Sequence, residues 1–166
     1  MIEVKIDAIR QNMTSSRVVI LKDVASRRFL PIWIGEPEAN SISAQMNGVR
    51  LPRPITHDLI VRILREVGAT VRHIVVSEMR DETYYARILL TAKDGREISL
   101  DSRPSDALAV AVRCDCPIYV ADEVMDAHAQ EPGEDAASVA DEDLGAFKDF
   151  LGSLDLDNLD DPDDKK

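Results

Sequence analysis

The segment Ala107-Leu-Ala-Val-Ala-Val112 is the longest apolar run of the chain. It constrains the fold more than any other stretch. Pro104-Ser105-Asp106 before it reads as a helix start. A helix that is apolar on every side has to be buried on every side, so other elements must enclose it. The chain is 45% hydrophobic, enough to build such a core, and only 4% aromatic, so that core is aliphatic and alanine-rich. The run falls far short of the roughly 20 apolar residues a membrane helix needs.

The enclosing elements can be read from periodicity. Period-two alternation marks a strand at 2–10, and more apolar runs mark strands at 17–22 and 29–34, the last carrying Trp33, the single tryptophan. Gly35 ends the third strand, and a helix with Pro37 in its first turn is expected over 36–47. Gly48 to Pro54 reads as a proline-stiffened loop. Thr56 reads as the N-cap of a second helix whose Leu59, Ile60, Ile63, Leu64 and Val67 fall at helical spacing, with Gly68 closing it. Three more strands follow at 71–77, 84–91 and 97–100, the last two joined at Asp94-Gly95. The helix over 104–113, a short strand at 117–120 and a helix at 122–130 complete this part. Gly35-Glu-Pro-Glu-Ala-Asn-Ser-Ile42 lines up with Ser102-Arg-Pro-Ser-Asp-Ala-Leu-Ala109. The expectation is an α+β domain over 1–130, with a mixed β-sheet built from two β3α-like halves and packed helices. Chance similarity of two strand-to-helix turns explains the echo equally well.

Charge divides the chain at the same place. The net charge is −11. Residues 1–120 carry 17 Lys and Arg against 15 Asp and Glu, whereas residues 121–166 carry 3 Lys against 16 acids. An acidic pI normally argues against a nucleic-acid partner, but here that argument applies only to the tail. Fourteen of the body's 17 cations are Arg, which suits bidentate phosphate contact; a source that simply prefers Arg gives the same count. Over 131–166 an acidic tail is expected. Leu144, Phe147, Leu151 and Leu154 would form one amphipathic helix near 139–154, and the end would be disordered. The start, Met1-Ile-Glu-Val-Lys-Ile-Asp7, alternates charged with apolar residues and so resembles no secretory signal or transit peptide. Two cysteines exclude a disulfide framework. The expectation is a cytoplasmic protein with no membrane contact.

No phosphate-binding loop, dinucleotide fingerprint, zinc-finger spacing or nucleophile elbow is present. Three helix starts instead collect polar residues: Gly35-Glu36-Pro37-Glu38, Arg53-Pro54-Ile55-Thr56-His57-Asp58 and Asp101-Ser102-Arg103-Pro104-Ser105-Asp106. Helix N-termini favour anions. Each cluster either caps its own helix or converges with the others on one groove. His73 in a strand, His128 in the acidic part and the Cys114-Asp115-Cys116 triplet carry weaker signals. No second Cys pair exists to complete a zinc site.

Leu30-Pro-Ile-Trp-Ile-Gly-Glu-Pro-Glu-Ala-Asn-Ser-Ile42, Arg53-Pro-Ile-Thr-His-Asp58 and Asp101-Ser-Arg-Pro-Ser-Asp-Ala-Leu-Ala109 resemble, in this order, the signature blocks of the bifunctional nuclease domain family. The resemblance spans about residues 2–130. It implies an α+β fold, a wedge-shaped homodimer with a groove as the active site, and nuclease activity on both DNA and RNA. The positions matching the signatures are Glu38, Arg53, Thr56, His57, Asp58, Asp101, Arg103, Ser105 and Asp106.

The functional expectation is a metal-assisted phosphodiesterase of low sequence specificity acting on RNA and DNA. His57, Asp58, Asp101 and Asp106 are its expected catalytic residues. Asp58, Asp101 and Asp106, with Glu38, would hold Mg²⁺ or Mn²⁺, which requires the three aspartates within ~5 Å of one another. Arg53 and Arg103, with Thr56 and Ser105, would hold phosphate, and His57 would move a proton. Scarce aromatics point to recognition through the backbone, weakening steeply with salt. The alternative is a non-catalytic interaction or regulatory module that binds an anionic ligand or a protein through the same clusters. A homodimer is expected, with the acidic tail docking in cis or on a protein partner.

Overall fold

The computed structural model describes residues 1–11 and 16–131. The expected amphipathic helix near 139–154 and the acidic end beyond it lie outside the described residues. Strands β1 (Ile2–Gln11), β2 (Arg17–Asp23) and β3 (Phe29–Ile34) form an antiparallel meander. Helices α1 (Glu36–Met46) and α2 (Thr56–Glu66) follow. A second antiparallel meander comprises β4 (Thr70–Arg80), β5 (Thr83–Thr91) and β6 (Glu97–Ser102). Helix α3 (Pro104–Cys114), strand β7 (Ile118–Val120) and helix α4 (Asp122–His128) complete the described part.

The strands form one seven-stranded sheet in the order β3-β2-β1-β7-β4-β5-β6. β7 pairs antiparallel with β1 and parallel with β4, so it joins the two meanders into a mixed sheet. The fold is α+β, and each meander leads from its edge strand straight into a helix: β3 into α1, and β6 into α3.

Alternation along the strands decides which face is covered. Val4, Val19, Leu21, Leu30, Ile32, Ile74, Val76, Ala86, Ile88, Leu90, Ile118 and Val120 point to one side and form the core with Ile42 of α1, Val61 of α2 and α3. Ala107 to Ala111 of α3 are at most 1% exposed, as an all-apolar helix requires. The register places Glu3, Tyr119, Val75, Arg87 and Asp101 in one cross-strand row on the opposite face.

Turn chemistry sets the ends. Gly95, at φ +86, makes the β5–β6 turn, and the Asp94 carboxylate accepts from Arg96 N–H at 3.1 Å. The β4–β5 turn uses Asp81 and Glu82, both in the left-handed region, which a two-residue hairpin loop demands. Helix α4 ends two residues earlier than expected, because Gln130 turns to exchange backbone hydrogen bonds with Phe29 of β3. Among the described residues no helix is long and apolar enough to cross a membrane.

Candidate functional site

The three helix starts meet on the helix-covered side of the sheet. Arg103, the residue before α3, links two of them. Its Nη2 donates to Glu38 Oε1 of α1 at 2.7 Å. Its Nε and Nη2 donate to the two carboxylate oxygens of Asp106 at 2.8 and 3.0 Å. The Arg103 side chain is nonetheless 65% exposed. The Asp106 and Glu38 hydrogen bonds together push its pKa above the ordinary arginine value, so it stays charged.

Asp106 connects this cluster to α2. His57 Nε2 lies 3.2 Å from Asp106 Oδ1, and His57 Nδ1 lies 2.9 Å from Ser41 Oγ of α1. Arg113, in the last turn of α3, donates from Nη2 to Ser41 Oγ at 3.0 Å and from Nε to Asp58 Oδ1 at 2.6 Å. A carboxylate accepts at Nε2, and Ser41 is left to donate to Nδ1 while accepting from Arg113. This pattern assigns the His57 proton to Nε2.

Burial limits what this network can do. Ser41 is 6% and His57 7% exposed. Serine, histidine and aspartate stand in line, but the hydroxyl lies in the interior, where no substrate reaches it, so the line positions α1, α2 and α3 against one another. Burial pushes the Asp106 carboxyl up, but the hydrogen bonds from Arg103 and His57 outweigh it and hold it below the ordinary range. The Arg113 hydrogen bond holds Asp58 low against its burial, helped by the Ile55 N–H at 3.0 Å. Asp58, rather than Thr56, thus ties off the start of α2. Thr56 is its first helical residue and is exposed.

The remaining expected residues are placed apart. Asp101 lies within β6, opposite Arg87 of β5 and on the sheet face away from the helices. The strand runs through Ser102, two residues beyond its expected end, and Ser102 points to the helix side while Asp101 does not. Arg53 is exposed in the connection to α2 and takes no part in the hydrogen bonds above. Ser105 is buried at the start of α3.

The donor set does not fit a resident divalent cation. Arg103 occupies Glu38 and Asp106, Arg113 occupies Asp58, and Asp101 faces the other way. Among the described residues no group of three or more His, Cys, Asp or Glu side chains is arranged to hold a metal. These carboxylates bind guanidinium groups instead.

Arg103 and Ser105 open into a cleft of about 690 Å³, which Trp33, Tyr84, Glu82 and His128 also line. Gly35, between Trp33 and α1, lies under the Glu38 carboxylate, where a Cβ would collide with it. Sequence reasoning missed Ser41 and Arg113, the two central members of the network. The available signal was a serine beside buried Ala39 and Ile42, on the core side of α1, and an arginine closing an otherwise apolar helix.

A seven-stranded α+β domain whose helix starts are knotted through R-P-x-T-H-D and D-x-R-P-S-D-A residues defines a family. The chain belongs to the bifunctional nuclease domain family, whose model matches residues 19–132. It is similar to an uncharacterized protein of Mycobacterium tuberculosis, 35% identical over 164 residues that cover 95% of this chain and 97% of that one. It is also similar to Bifunctional nuclease 1 of Oryza sativa subsp. japonica, 34% identical over 115 residues, 68% of this chain and 34% of the rice protein. Bifunctional nuclease 1 of Arabidopsis thaliana is 30% identical over 105 residues, 62% of this chain and 32% of its own length. The plant proteins are thus matched over about a third of their length.

Proposed function

We propose that the chain is a nuclease that hydrolyses phosphodiester bonds of RNA and DNA with low sequence specificity, at the mouth of the Arg103 cleft. The observation that carries this reading is an exposed guanidinium bridging two half-buried carboxylates beside an open cleft. The names of the plant relatives add to it.

Arg103 takes the phosphate oxygens. As it turns toward them, Asp106 Oδ2 loses its hydrogen bond from Arg103 and is free to accept a proton, while His57 stays on Oδ1. Asp106 removes a proton from an attacking water as the water oxygen bonds to phosphorus. It returns that proton to the sugar oxygen as the P–O bond breaks. His57, through its Nε2–H, keeps Asp106 aimed, and Glu38 guides Arg103 back. No step is routed through a metal, because the residues do not make a site for one; Mg²⁺ and Mn²⁺ enter as arms of the test.

The experiment incubates the protein with labelled RNA and single-stranded DNA in Mg²⁺, Mn²⁺ or EDTA, beside Asp106→Asn and Asp101→Asn. Cleavage abolished in Asp106→Asn and kept in Asp101→Asn supports the assignment. Cleavage untouched by Asp106→Asn overturns it. The second reading, a non-catalytic module, draws on one observation: Glu38, Ser41, His57, Asp58 and Asp106 each already have a side-chain partner inside the protein. Binding without cleavage under all three conditions favours it.

The reading includes a homodimer. Helix α2 buries His57 and Val61, yet Leu59, Ile60, Ile63 and Val67 on its outer side are 52%, 36%, 52% and 63% exposed. A helix apolar on both sides has room for a partner on the outer one. A cytoplasmic setting is in keeping with the free cysteines Cys114 and Cys116.

A further inference from the structure

Trp33 is the largest apolar side chain of the protein, yet it is 61% exposed. It stands on the edge strand β3, opposite Val18 and two residues before Gly35. It lines the same cleft as Arg103. The cleft also contains Tyr84 and His128, whose rings meet edge-on with centroids 5.9 Å apart. Low aromatic content points to recognition mainly through the phosphate backbone. The fold nonetheless brings Trp33 and Tyr84, two of the seven aromatic residues, to one opening together with His128.

The electrostatics of the cleft also require something beyond phosphate contact. Glu38 and Asp106 already compensate the Arg103 charge, and Glu82 also lines the cleft. A phosphate arriving at Arg103 meets a guanidinium whose charge two carboxylates already offset, so phosphate attraction alone gives little affinity. Another part of the ligand has to supply the binding energy that draws Arg103 away.

We infer that the cleft is a site for an unpaired nucleobase, stacked on the Trp33 indole while the adjoining phosphate meets Arg103. The site therefore selects single-stranded RNA or DNA over duplex, in which the bases are stacked on one another and their faces are not available. The indole contributes through its π-face, which every base can match, so selection is for strandedness and not for sequence. Because Arg103 begins neutralised, few counterions are released on binding, and affinity falls only gently with salt. This inference rests on the nuclease reading for the class of ligand but not on catalysis.

Trp33 is the single tryptophan of the full chain, so its fluorescence reports on this site in the unmodified protein. The test titrates the full chain, in EDTA, with oligothymidylate, oligoadenylate RNA, an abasic strand of equal length and a blunt duplex. Both base-bearing single strands should quench the emission, and the abasic strand and the duplex should not. Read by fluorescence anisotropy of an end-labelled oligothymidylate, because these variants carry no tryptophan, Trp33→Phe should retain binding and Trp33→Ala should weaken it about tenfold, with circular dichroism confirming that both variants are folded. Equal quenching by the abasic strand, equal quenching by duplex, or no quenching by any nucleic acid overturns the inference. Quenching without cleavage in the activity assay defeats the nuclease reading and leaves this one standing. Cleavage without quenching does the reverse.

Discussion

His57 Nε2 and Asp106 Oδ1 lie 3.2 Å apart, although 49 positions separate the two residues in the chain. That one contact joins the start of α2 to the start of α3, and Ser41 on the other ring nitrogen adds α1. The imidazole is a three-way connector between helices, buried where a proton-transfer partner for substrate cannot be.

Replacing His57 by Ala should therefore act on stability first. The change leaves Ser41 and Asp106 without a shared partner in a mostly buried place, a loss of about 1–3 kcal/mol. Urea denaturation should show a lower midpoint with an unchanged slope. A variant as stable as the parent would contradict the connector role.

Asp58→Ala should cost about 2 kcal/mol, the range for a hydrogen bond to a charged group. The Arg113 side chain is only 6% exposed, so the lost carboxylate leaves its guanidinium in the interior without a counter-charge. Thermal melting reads this directly. Arg113→Met, which removes the charge as well, should be the milder change when combined with Asp58→Ala than Asp58→Ala alone.

Acid sensitivity follows from three carboxyls. Hydrogen bonding to Ser26 holds Asp23 low, the Arg113 hydrogen bond does the same for Asp58, and Arg103 and His57 outweigh burial at Asp106. A carboxyl with a lower pKa in the folded state stabilises the fold fully above its unfolded value. That contribution disappears as the pH falls through the folded value. Stability should be level from neutral pH to about pH 5 and drop below about pH 4. Asp58→Asn should flatten that drop. An equally steep acid limb in the variant would count against the assignment.

Catalysis should separate two aspartates of the same signature block. Asp106→Asn should lower kcat/KM by about a hundredfold or more, the usual contribution of a positioned base. Asp101→Asn should stay within about twofold, since surface polar changes away from a site act weakly. Initial rates on a labelled RNA strand measure both.

Association should depend on the outer stripe of α2. Ile63→Asp places a charge in the middle of Leu59, Ile60 and Val67 and should shift the molar mass seen by light scattering from dimer to monomer, with the fold intact by circular dichroism. A parent protein that is monomeric at every concentration would refute the homodimer.

Much of the fold could be read from alternation and turn residues. The six long strands, the Asp94-Gly95 turn and the repeated strand-to-helix turn all follow local rules. The position of β7 does not, because three residues carry no period and their partners, β1 and β4, are fixed by the whole sheet. The candidate site divides in the same way. That Glu38, His57 and Asp106 belong together is visible in the polar helix starts. That Asp101 stands apart depends on where β6 ends: one more residue of pairing turns a neighbour in sequence to the opposite side. Ser41 and Arg113 were unreadable singly, because a serine in mid-helix and an arginine at a helix end are ordinary until the partner helix is in place.

The order in which strands are made differs from the order in which they pair, and β7 is the last of the described strands to be made. Until Ile118 to Val120 leave the ribosome, β1 and β4 each present a bare edge, and the two meanders have no common hydrogen bond. Synthesis must therefore reach Val120 before either half is sealed. A nascent chain stalled short of this triplet exposes two adhesive borders, which makes chaperone protection most valuable just before the end of the domain is translated.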